Sequence, residues 1–269
     1  MAEIGIGIAG CGGKMGRVLV AEVAGAAGVR LTGGTARAAA LQGMDLGVLA
    51  GLEPLGIAIG QDPEALFAGA SAVIDFTTPE ATLRHAAIAG RIGTALVIGT
   101  TGVSAGQAEA IAAAARSAPI VWSPNMSLGV NLLLGLVEQV ASILGPDYDI
   151  EILEMHHRLK RDAPSGTALG LGEAAARGRG IILDQVATRS RDGQIGARPG
   201  GSIGFATLRG GDVVGDHSVI FAGLGERLEL THKAADRRIY ASGALRAALW
   251  AVGRAPGLYG MKDVLGLTR

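Results

Sequence analysis

The sequence predicts an α/β protein with two domains, the first built on a parallel sheet and the second of α+β type with an open sheet. Through the first half, short apolar runs typical of buried strands alternate with Ala-rich helical runs. A Gly-rich turn follows the first of these runs, and after about Met126 the pattern changes to helices and three β-rich runs. A chain of 269 residues is long enough for two modest domains.

The first-half elements follow from local patterns. Apolar, β-branched runs predict strands at Ile4–Ala9, Val29–Gly33, Ala72–Phe76, Ala95–Ile98 and Pro119–Trp122. Ala-rich periodic runs predict helices at Gly16–Ala24, Pro79–Ala89 and Ala105–Ser117. Thr78 before Pro79 is a helix cap with a first-turn proline, and Ser104 with Gln107 forms a capping box.

The second half has a different order of elements. Periodicity predicts helices at Leu128–Leu144 and Ala168–Arg177, and strands at Asp149–Met155, Ser202–Arg209, Asp212–Phe221 and Arg227–His232. Ala241–Val252 is helical again, but periodicity does not assign it to either domain. The exposed face of such an open sheet could pair with another subunit.

Composition excludes several classes of function. The formal net charge is zero, so the bulk electrostatics indicate no nucleic-acid partner and no anionic membrane. A single cysteine, Cys11, excludes an intrachain disulfide, which suits a reducing compartment. We expect neither a signal peptide nor a membrane span, and we expect the protein to be cytoplasmic.

The segment Gly10-Cys11-Gly12-Gly13-Lys14-Met15-Gly16 lies between the first strand and the first helix. Glycines allow a backbone to turn tightly and approach a pyrophosphate, which the free amides of the helix start then bind. The spacing departs from plain G-x-G-x-x-G, but the strand, turn and helix occur in the order that a dinucleotide site requires.

Arg37 indicates the type of dinucleotide. A site for NAD usually has an acidic residue at the end of the second strand, whereas no Asp or Glu occurs between Glu22 and Asp45. Arg37 follows that strand and can bind a 2′-phosphate, which favours NADPH over NADH. The alternative is that Arg37 is an ordinary solvated surface residue.

Three further loops follow predicted strands. Ligands of open parallel sheets bind at the carboxyl ends of the strands, so we expect Phe76 and Thr77, with Gly99, Thr100 and Thr101, to hold the nicotinamide and its ribose. Ser123, Pro124, Asn125 and Met126 end the next strand, at the proposed change of domain and at the mouth of an interdomain cleft. Capping and turn formation are equally good explanations for Thr78, Ser123 or Asn125 taken singly.

The chemical centre of the chain is Glu154-Met-His-His-Arg-Leu-Lys-Arg-Asp-Ala-Pro-Ser-Gly-Thr167, on a strand-to-helix loop. Ser165, Gly166 and Thr167 open a helix whose amides can bind a carboxylate, with Lys160 and Arg161 nearby. A second basic set, His232-Lys233 and Arg237-Arg238, makes a small dicarboxylate a suitable substrate. His156 and Lys160 would then move protons.

Other interpretations of this loop remain. Adjacent histidines without ligand spacing are a poor metal site, so we predict no metal. Ser165 lacks the G-x-S-x-G elbow of a nucleophile. A solvated charge run on a flexible loop is a further alternative.

The loop resembles the signature of the dihydrodipicolinate reductases, now called 4-hydroxy-tetrahydrodipicolinate reductases. The resemblance rests on Glu154–Arg158, Lys160 and Asp162–Leu169, and it continues in the family's order through the motifs Gly10–Gly16, Ile74–Thr77, Ile98–Gly102, Gly200–Arg209, Gly215–His217, Gly225–Ala234 and Ala244–Trp250.

The resemblance implies a Rossmann-like parallel-sheet cofactor domain formed by residues 1–127 plus 238–269. It also implies an α+β domain over 128–237 whose open mixed sheet binds substrate and builds a homotetramer. The implied reaction is NAD(P)H-dependent reduction of 4-hydroxy-tetrahydrodipicolinate to tetrahydrodipicolinate with loss of water, in the diaminopimelate route to lysine.

Site residues also carry over by position. His156 is implied as proton donor or acceptor and Lys160 as proton donor, while His157, Gly166 and Thr167 bind substrate carboxylate and Arg237 assists. Cofactor contacts fall on the turn from Gly10 to Met15 (Gly10, Cys11, Gly12, Gly13, Lys14 and Met15), on Arg37, on Gly99–Thr101 and on Ser123–Met126. Many similar members carry Glu before the arginine, where this chain has Ala36. We therefore predict a preference for NADPH, with NADH as a possible second cofactor.

Two other functions are weighed against the reductase. One is a Rossmann-type dehydrogenase for another small dicarboxylic or amino acid, and the other is a non-catalytic nucleotide sensor. A sensor would need neither His156 nor Lys160 for proton transfer.

Overall fold

A computed structural model describes residues 3–267. Contacts divide the chain into two compact units. Unit 1 comprises the residues up to Leu128 and from Arg237 onward, and unit 2 is Gly129–Asp236. The domain bounds implied by the resemblance differ from the bounds of these units by one residue at each division, at Leu128 and at Arg237.

Unit 1 is built on a six-stranded sheet in which every neighbouring pair is parallel. Its strands are β1 (Ile4–Ala9), β2 (Val29–Thr35), β3 (Ala72–Asp75), β4 (Ala95–Ile98), β5 (Pro119–Trp122) and β11 (Gly257–Tyr259). Its helices are α1 (Lys14–Ala24), α2 (Leu46–Leu49), α3 (Pro63–Ala68), α4 (Pro79–Ile92), α5 (Ala105–Ala114), α9 (Arg238–Ala251) and α10 (Met261–Val264).

The strand order β11-β5-β4-β3-β1-β2 places β1 between β2 and β3. The chain therefore reverses direction across the sheet at the gap between β1 and β3. In open parallel sheets this switch point, at the carboxyl ends of the strands, is where ligands bind. The Gly10 turn follows β1 there, and the Phe76–Thr77 loop follows β3.

Both faces of this sheet are buried. Neighbouring residues of β3 enter different cores: Ile74 packs with Ile6 and Ile8 on one side, and Val73 packs with Leu96 on the other. This explains why the strands are continuous apolar runs instead of alternating ones. The C-terminal helix α9 belongs to the first of these cores.

Unit 2 contains a five-stranded sheet of order β10-β9-β6-β8-β7. Its strands are β6 (Asp149–His156), β7 (Ala187–Thr188), β8 (Ile203–Arg209), β9 (Gly215–Ala222) and β10 (Arg227–Ala234), and its helices are α6 (Leu128–Leu144, whose first residue is in unit 1), α7 (Gly166–Gly178) and α8 (Leu183–Val186). β6 pairs parallel with β8 and antiparallel with β9. The sheet is thus mixed, and the predicted fold class is confirmed.

The two faces of the unit 2 sheet differ. Along β6, Ile150 and Ile152 are buried in the core with α7, whereas the alternate residues are partly exposed. The second face carries Leu153, Met155, Ile220 and Leu208, the last of them 47% exposed. This partly apolar face is called the open face below.

Among the described residues, one helix, Leu128–Asp147, is long and apolar enough to cross a membrane by length and composition alone. Leu133, Val137 and Ala141 on this helix pack in the core of unit 2. Core packing explains only part of that hydropathy, since 28% of the apolar window is buried and Leu132, Leu136 and Ile143 are exposed.

Several predicted boundaries need correction. β3 ends at Asp75, so Phe76 belongs to the following loop, and α4 continues to Ile92, where Gly93 takes a left-handed conformation with φ of 85°. The short helices α2 and α3 and the strand β11 were not predicted. The Asp45 and Asp62 side chains cap α2 and α3 at their first turns.

Candidate active site

The glycine turn after β1 is held by backbone contacts. The Gly10 and Cys11 amides both donate to the Thr35 carbonyl at the end of β2, at 2.9 and 3.0 Å. Gly10 has a φ of 81°, and a Cβ on Gly16 would lie 2.1 Å from the Gly10 carbonyl oxygen. Glycine is needed at Gly10 because the backbone is left-handed there, and at Gly16 because a side chain would collide with the Gly10 carbonyl.

Cys11 has a structural role in this turn. It is fully buried, and its thiol lies 3.3 Å from the Thr35 carbonyl. Burial raises the pKa of Cys11 to about 11, so the group stays a neutral thiol. Gly13 and Lys14 are exposed and Gly10, Gly12 and Met15 partly exposed, and these five are the turn residues available to a ligand.

A cavity of about 570 Å³ opens beside the turn. Arg37 and Arg84 both line it, and none of its described lining residues is acidic. The lining residues are Gly10, Gly13, Thr35, Ala36, Arg37, Gln61, Pro63, Phe76, Thr77, Thr78, Ala81, Arg84 and His85.

A second cavity of unit 1, of about 310 Å³, also has Phe76 in its wall. Its lining residues are Met15, Phe76, Gly99, Thr101, Pro124, Asn125, Met126, Arg237 and Tyr240. Seven of the predicted cofactor residues meet here. Arg237, expected to assist substrate binding, lies among them.

Close approaches shape this second cavity. A Cβ on Gly99 would fall 2.2 Å from the Phe76 ring, so glycine allows that ring to lie over the loop after β4. A Cβ on Gly243 of α9 would fall 1.8 Å from the Met126 carbonyl oxygen. The loops after β3, β4 and β5 are therefore shaped by two glycines.

A buried polar network supports the loops after β3 and β4. Asp75, which is fully buried, accepts hydrogen bonds from Thr77 Oγ1 at 2.6 Å and pairs with His85 Nδ1 at 2.9 Å. Thr100 Oγ1 accepts from the Thr77 amide at 3.1 Å and from Thr82 Oγ1 at 2.8 Å. These bonds fix Thr77 and Thr100 relative to each other.

The second site lies at the carboxyl end of β6 in unit 2. Glu154 and His156 point to the core side of the sheet and are 1% and 8% exposed. His156 Nδ1 lies 2.5 Å from Glu154 Oε2. Burial lowers the pKa of His156, although Glu154 acts in the opposite direction, so the imidazole is neutral near pH 7.

Glu154 is ionised in this environment. Burial alone would raise the pKa of Glu154, but hydrogen bonds from Arg209, His156 and the Ser165 amide lower it overall. Arg209 approaches with both terminal nitrogens, at 2.8 and 3.1 Å, and the Ser165 amide lies 3.0 Å away. The carboxylate thus joins β6, β8 and the start of α7.

Ser165 caps α7 and contacts a second buried histidine. Its Oγ accepts a hydrogen bond from the Ala168 amide at 3.1 Å and lies 2.9 Å from His217 Nε2. Burial lowers the pKa of His217 to about 4. This Ser–His pair lacks the acid of a catalytic triad, because His217 Nδ1 has no hydrogen-bond partner among the described residues. Ser165 therefore serves as the cap of α7, as the absence of an elbow motif indicated.

Lys160 lies on the loop between β6 and α7. Its Nζ donates to both oxygens of Asp162 at 2.9 Å, and the Asp162 carbonyl accepts from Arg209 at 2.6 Å. His157 is half-buried, with its amide donating to the Val213 carbonyl. Gly166, which is exposed, and Thr167 form the first turn of α7.

The structure brings His156, Lys160, Ser165, Gly166 and Thr167 onto one strand-loop-helix segment of unit 2. Arg84, Arg209 and His217 also line these sites and were not predicted from the sequence as site residues. Arg209 and His217 come from β8 and β9, and only strand pairing could have placed them here, since His156 is level with Arg209 and Glu154 with His217. Across residues 3–267, no group of three or more His, Cys, Asp or Glu side chains is arranged to hold a metal ion.

Comparison with solved structures supports the fold. A dipicolinate-bound dihydrodipicolinate reductase from Paenisporosarcina sp. TG-14 superposes with a TM-score of 0.78 at 23% identity, covering 97% of this chain and 99% of the other. An amine dehydrogenase from Mycobacterium smegmatis gives a TM-score of 0.61 at 14% identity, with 96% and 94% covered. With the glycine turn at the switch point, these likenesses show a Rossmann-type fold.

Comparison with family models and curated proteins is more specific. Residues 4–126 match the family described as dihydrodipicolinate reductase, N-terminus, and residues 129–265 match dihydrodipicolinate reductase, C-terminus. Proteins named 4-hydroxy-tetrahydrodipicolinate reductase are 54% identical in Beijerinckia indica subsp. indica, over 99% of both chains, and 56% identical in Brucella abortus, over 98% of this chain and 99% of the other. The chain belongs to the dihydrodipicolinate reductase family.

The buried His217 makes stability depend on pH. Its pKa is about 4 in the folded protein against 6.5 for an ordinary histidine, so the unfolded chain binds a proton more readily between these values. As pH falls from 6.5 to 4, this residue should lower the free energy of unfolding by up to about 1.4 kcal/mol per pH unit. A His217→Gln variant keeps a polar tip near Ser165 and should show a shallower pH dependence in urea unfolding at constant protein concentration. Parallel curves for the variant and the parent protein would contradict the assignment.

Proposed function

We propose that this protein catalyses the NAD(P)H-dependent reduction of 4-hydroxy-tetrahydrodipicolinate to tetrahydrodipicolinate with loss of water, in lysine biosynthesis by the diaminopimelate pathway. The proposal is supported by relatives that carry the name of this reductase and are more than half identical over nearly the whole chain. The single structural observation that carries it is the neutral, buried His156 with Nδ1 on Glu154, beside Lys160 and the start of α7. This arrangement combines proton transfer with anion binding.

The residues of unit 1 fit a dinucleotide. The tight Gly10–Gly16 turn leads into α1, which has no acidic residue in its first turn that would repel a pyrophosphate. The two cavities that share Phe76 would take the adenosine and nicotinamide ends, with Gly99, Thr101, Pro124, Asn125, Met126 and Arg237 at the nicotinamide end. When bound, the reduced nicotinamide supplies the hydride.

In unit 2, the α7 start binds the substrate. Gly166 and Thr167 offer helix amides to a carboxylate, and Ser165 fixes the turn through its contacts with Ala168 and His217. His157, half-buried on the loop before α7, is a second contact. The Paenisporosarcina structure was solved with dipicolinate, a dicarboxylate of the same size class as the proposed substrate.

His156 and Lys160 move the protons. His156 is neutral near pH 7, so it can accept or relay a proton, whereas a lysine ammonium can donate one. Lys160 is held by Asp162, and its charge acts on His156 at the end of β6. We assign Lys160 to proton donation at the ring and His156 to proton exchange at the departing hydroxyl.

We further propose that the cofactor preference is for NADPH. Arg37 and Arg84 line the cavity beside the glycine turn, and Ala36 stands where similar family members have Glu. Two guanidinium groups without an acidic neighbour in the described cavity wall favour the dianionic 2′-phosphate over a ribose hydroxyl.

A homotetramer in the cytoplasm completes the proposal. The open face of the unit 2 sheet carries Leu153, Met155, Leu208 and Ile220 in partly exposed positions. Burying such a face against other copies removes apolar surface from water. A chain with one cysteine and no disulfide suits a reducing compartment.

A coupled assay tests the reaction. Pyruvate, aspartate semialdehyde and a dihydrodipicolinate synthase generate the unstable substrate in place while the absorbance of reduced nicotinamide is followed. Synthase-dependent oxidation is expected, and His156→Ala and Lys160→Ala should each lower kcat by about 100-fold or more with little change in cofactor affinity.

The matched control is Leu159→Ala, since Leu159 is 79% exposed on the same loop. It should keep the parent kcat. If neither cofactor is oxidised although both bind, the reductase proposal is overturned, and a nucleotide sensor or another substrate takes its place.

Cofactor preference is tested by Arg37→Ala. Removing one charge-assisted contact to the 2′-phosphate should raise the KM for NADPH roughly 10- to 100-fold and leave the KM for NADH unchanged. Arg30→Ala is the control, because Arg30 is exposed near the opposite end of β2. A lower KM for NADH than for NADPH in the parent protein at low salt would contradict the proposed preference.

A further inference from the structure

The Glu154 carboxylate is surrounded by donors on every side that the described residues occupy. Oε2 accepts from His156 Nδ1 at 2.5 Å and from Arg209 at 2.8 Å. Oε1 accepts from the Ser165 amide at 3.0 Å, from Arg209 at 3.1 Å and from Thr207 Oγ1 at 3.4 Å. An ionised carboxylate has no proton to give, so each partner must be the donor.

This requirement fixes the state of His156. A neutral imidazole carries one proton, and its position between the two ring nitrogens depends on the hydrogen bond that each makes. With Nδ1 facing a carboxylate, the proton resides on Nδ1 and the lone pair on Nε2.

Gly215 of β9 packs beside Nε2. A Cβ built on Gly215 of β9 would lie 3.0 Å from His156 Nε2 and 3.5 Å from His217 Cε1. Because Gly215 has no side chain, Nε2 retains space that any other residue would restrict. Nε2 is therefore the nitrogen from which a proton can be exchanged.

We propose that Glu154 is a positioning residue that holds His156 in the Nδ1–H form, so that Nε2 is its proton-transfer atom. Glu154 does so without being placed against substrate, and Arg209 keeps it ionised and in place. Proton transfer at Nε2 rests on the proposed function, whereas the tautomer of His156 is a property of the ligand-free protein.

Charged and titratable groups reach His156 from each neighbouring element. Glu154 on β6 raises its pKa, whereas Lys160 of the loop and Arg209 of β8 lower it, and His217 of β9 faces it edge-on with ring centroids 5.0 Å apart. Since burial keeps His217 neutral above about pH 4, Glu154 is the one anion among these four groups. Removing its charge should make His156 harder to protonate.

The first test needs no variant. Nitrogen NMR of the histidine rings in the ligand-free parent protein near pH 7 should show His156 protonated at Nδ1 and bare at Nε2. The opposite tautomer would overturn the proposal, whatever the coupled assay shows. Conversely, an Nδ1–H ring without synthase-dependent oxidation would overturn the reductase and leave the positioning of His156 standing.

The second test is Glu154→Gln, in which an amide can turn its NH2 toward Nδ1. We expect a mixed or Nε2–H tautomer at His156, a His217 ring that is still neutral near pH 7, and a fall in kcat of about 100-fold with the KM for NADPH unaltered. The limb of the pH–kcat profile that reports His156 should move to lower pH. Glu154→Asp keeps a carboxylate and should recover the Nδ1–H form and part of the kcat.

Glu151→Gln is the matched control. Glu151 is on the same strand and is also held by arginines, Arg191 and Arg198, but its hydrogen bonds within residues 3–267 include none to a histidine. It should leave the tautomer, the kcat and the pH profile unchanged. A folded Glu154→Gln variant with the parent tautomer and a kcat within threefold of the parent value would overturn the proposal.

Discussion

The buried carboxylate of Glu154 is the constraint on which the site in unit 2 depends. Glu154 is only 1% exposed, and burying a carboxylate costs free energy unless opposite charges and hydrogen-bond donors surround it. Arg209 supplies the opposite charge, and the Ser165 amide and His156 supply further donors. The hydrogen bonds of this one carboxylate therefore orient the His156 imidazole and position the start of α7. Through Arg209 and the Asp162 carbonyl they also position the loop that carries Lys160.

Unit 1 contains a similar acid–imidazole pair that has a different role. Asp75 and His85 form a buried acid-imidazole pair, but Asp75 also accepts from Thr77, and the His85 ring packs 5.9 Å from that of Phe67. There the pair stiffens a loop at the sheet edge. In unit 2 the pair leaves one imidazole nitrogen beside a glycine, which is what a group that exchanges protons needs.

Much of this could be predicted from sequence, because strong local patterns decide it. Buried strands such as Ile4–Ala9 and the capped start of α4 follow from residues that are close in the chain. Arg209 and Gly215 could not be placed, since their position depends on strand pairing, and a chain alone does not give its register. Arg84 was missed for a related reason: it is an exposed residue on α4, and only the sheet order brings that helix beside the cavity with Arg37. The strand β11 was missed because three residues carry too little periodicity to be recognised.

Unit 1 is assembled from two distant parts of the chain. Its sheet gains its last edge only when β11 pairs with β5, and its first core includes Ala244 and Ala248 of α9. A ribosome makes the chain from its N-terminus, so the glycine turn emerges long before the segment that completes its core. Residues 129–236 are contiguous and can fold as they emerge. The apolar surface that α9 and β11 cover in unit 1 therefore stays uncovered until the end of the chain has been made.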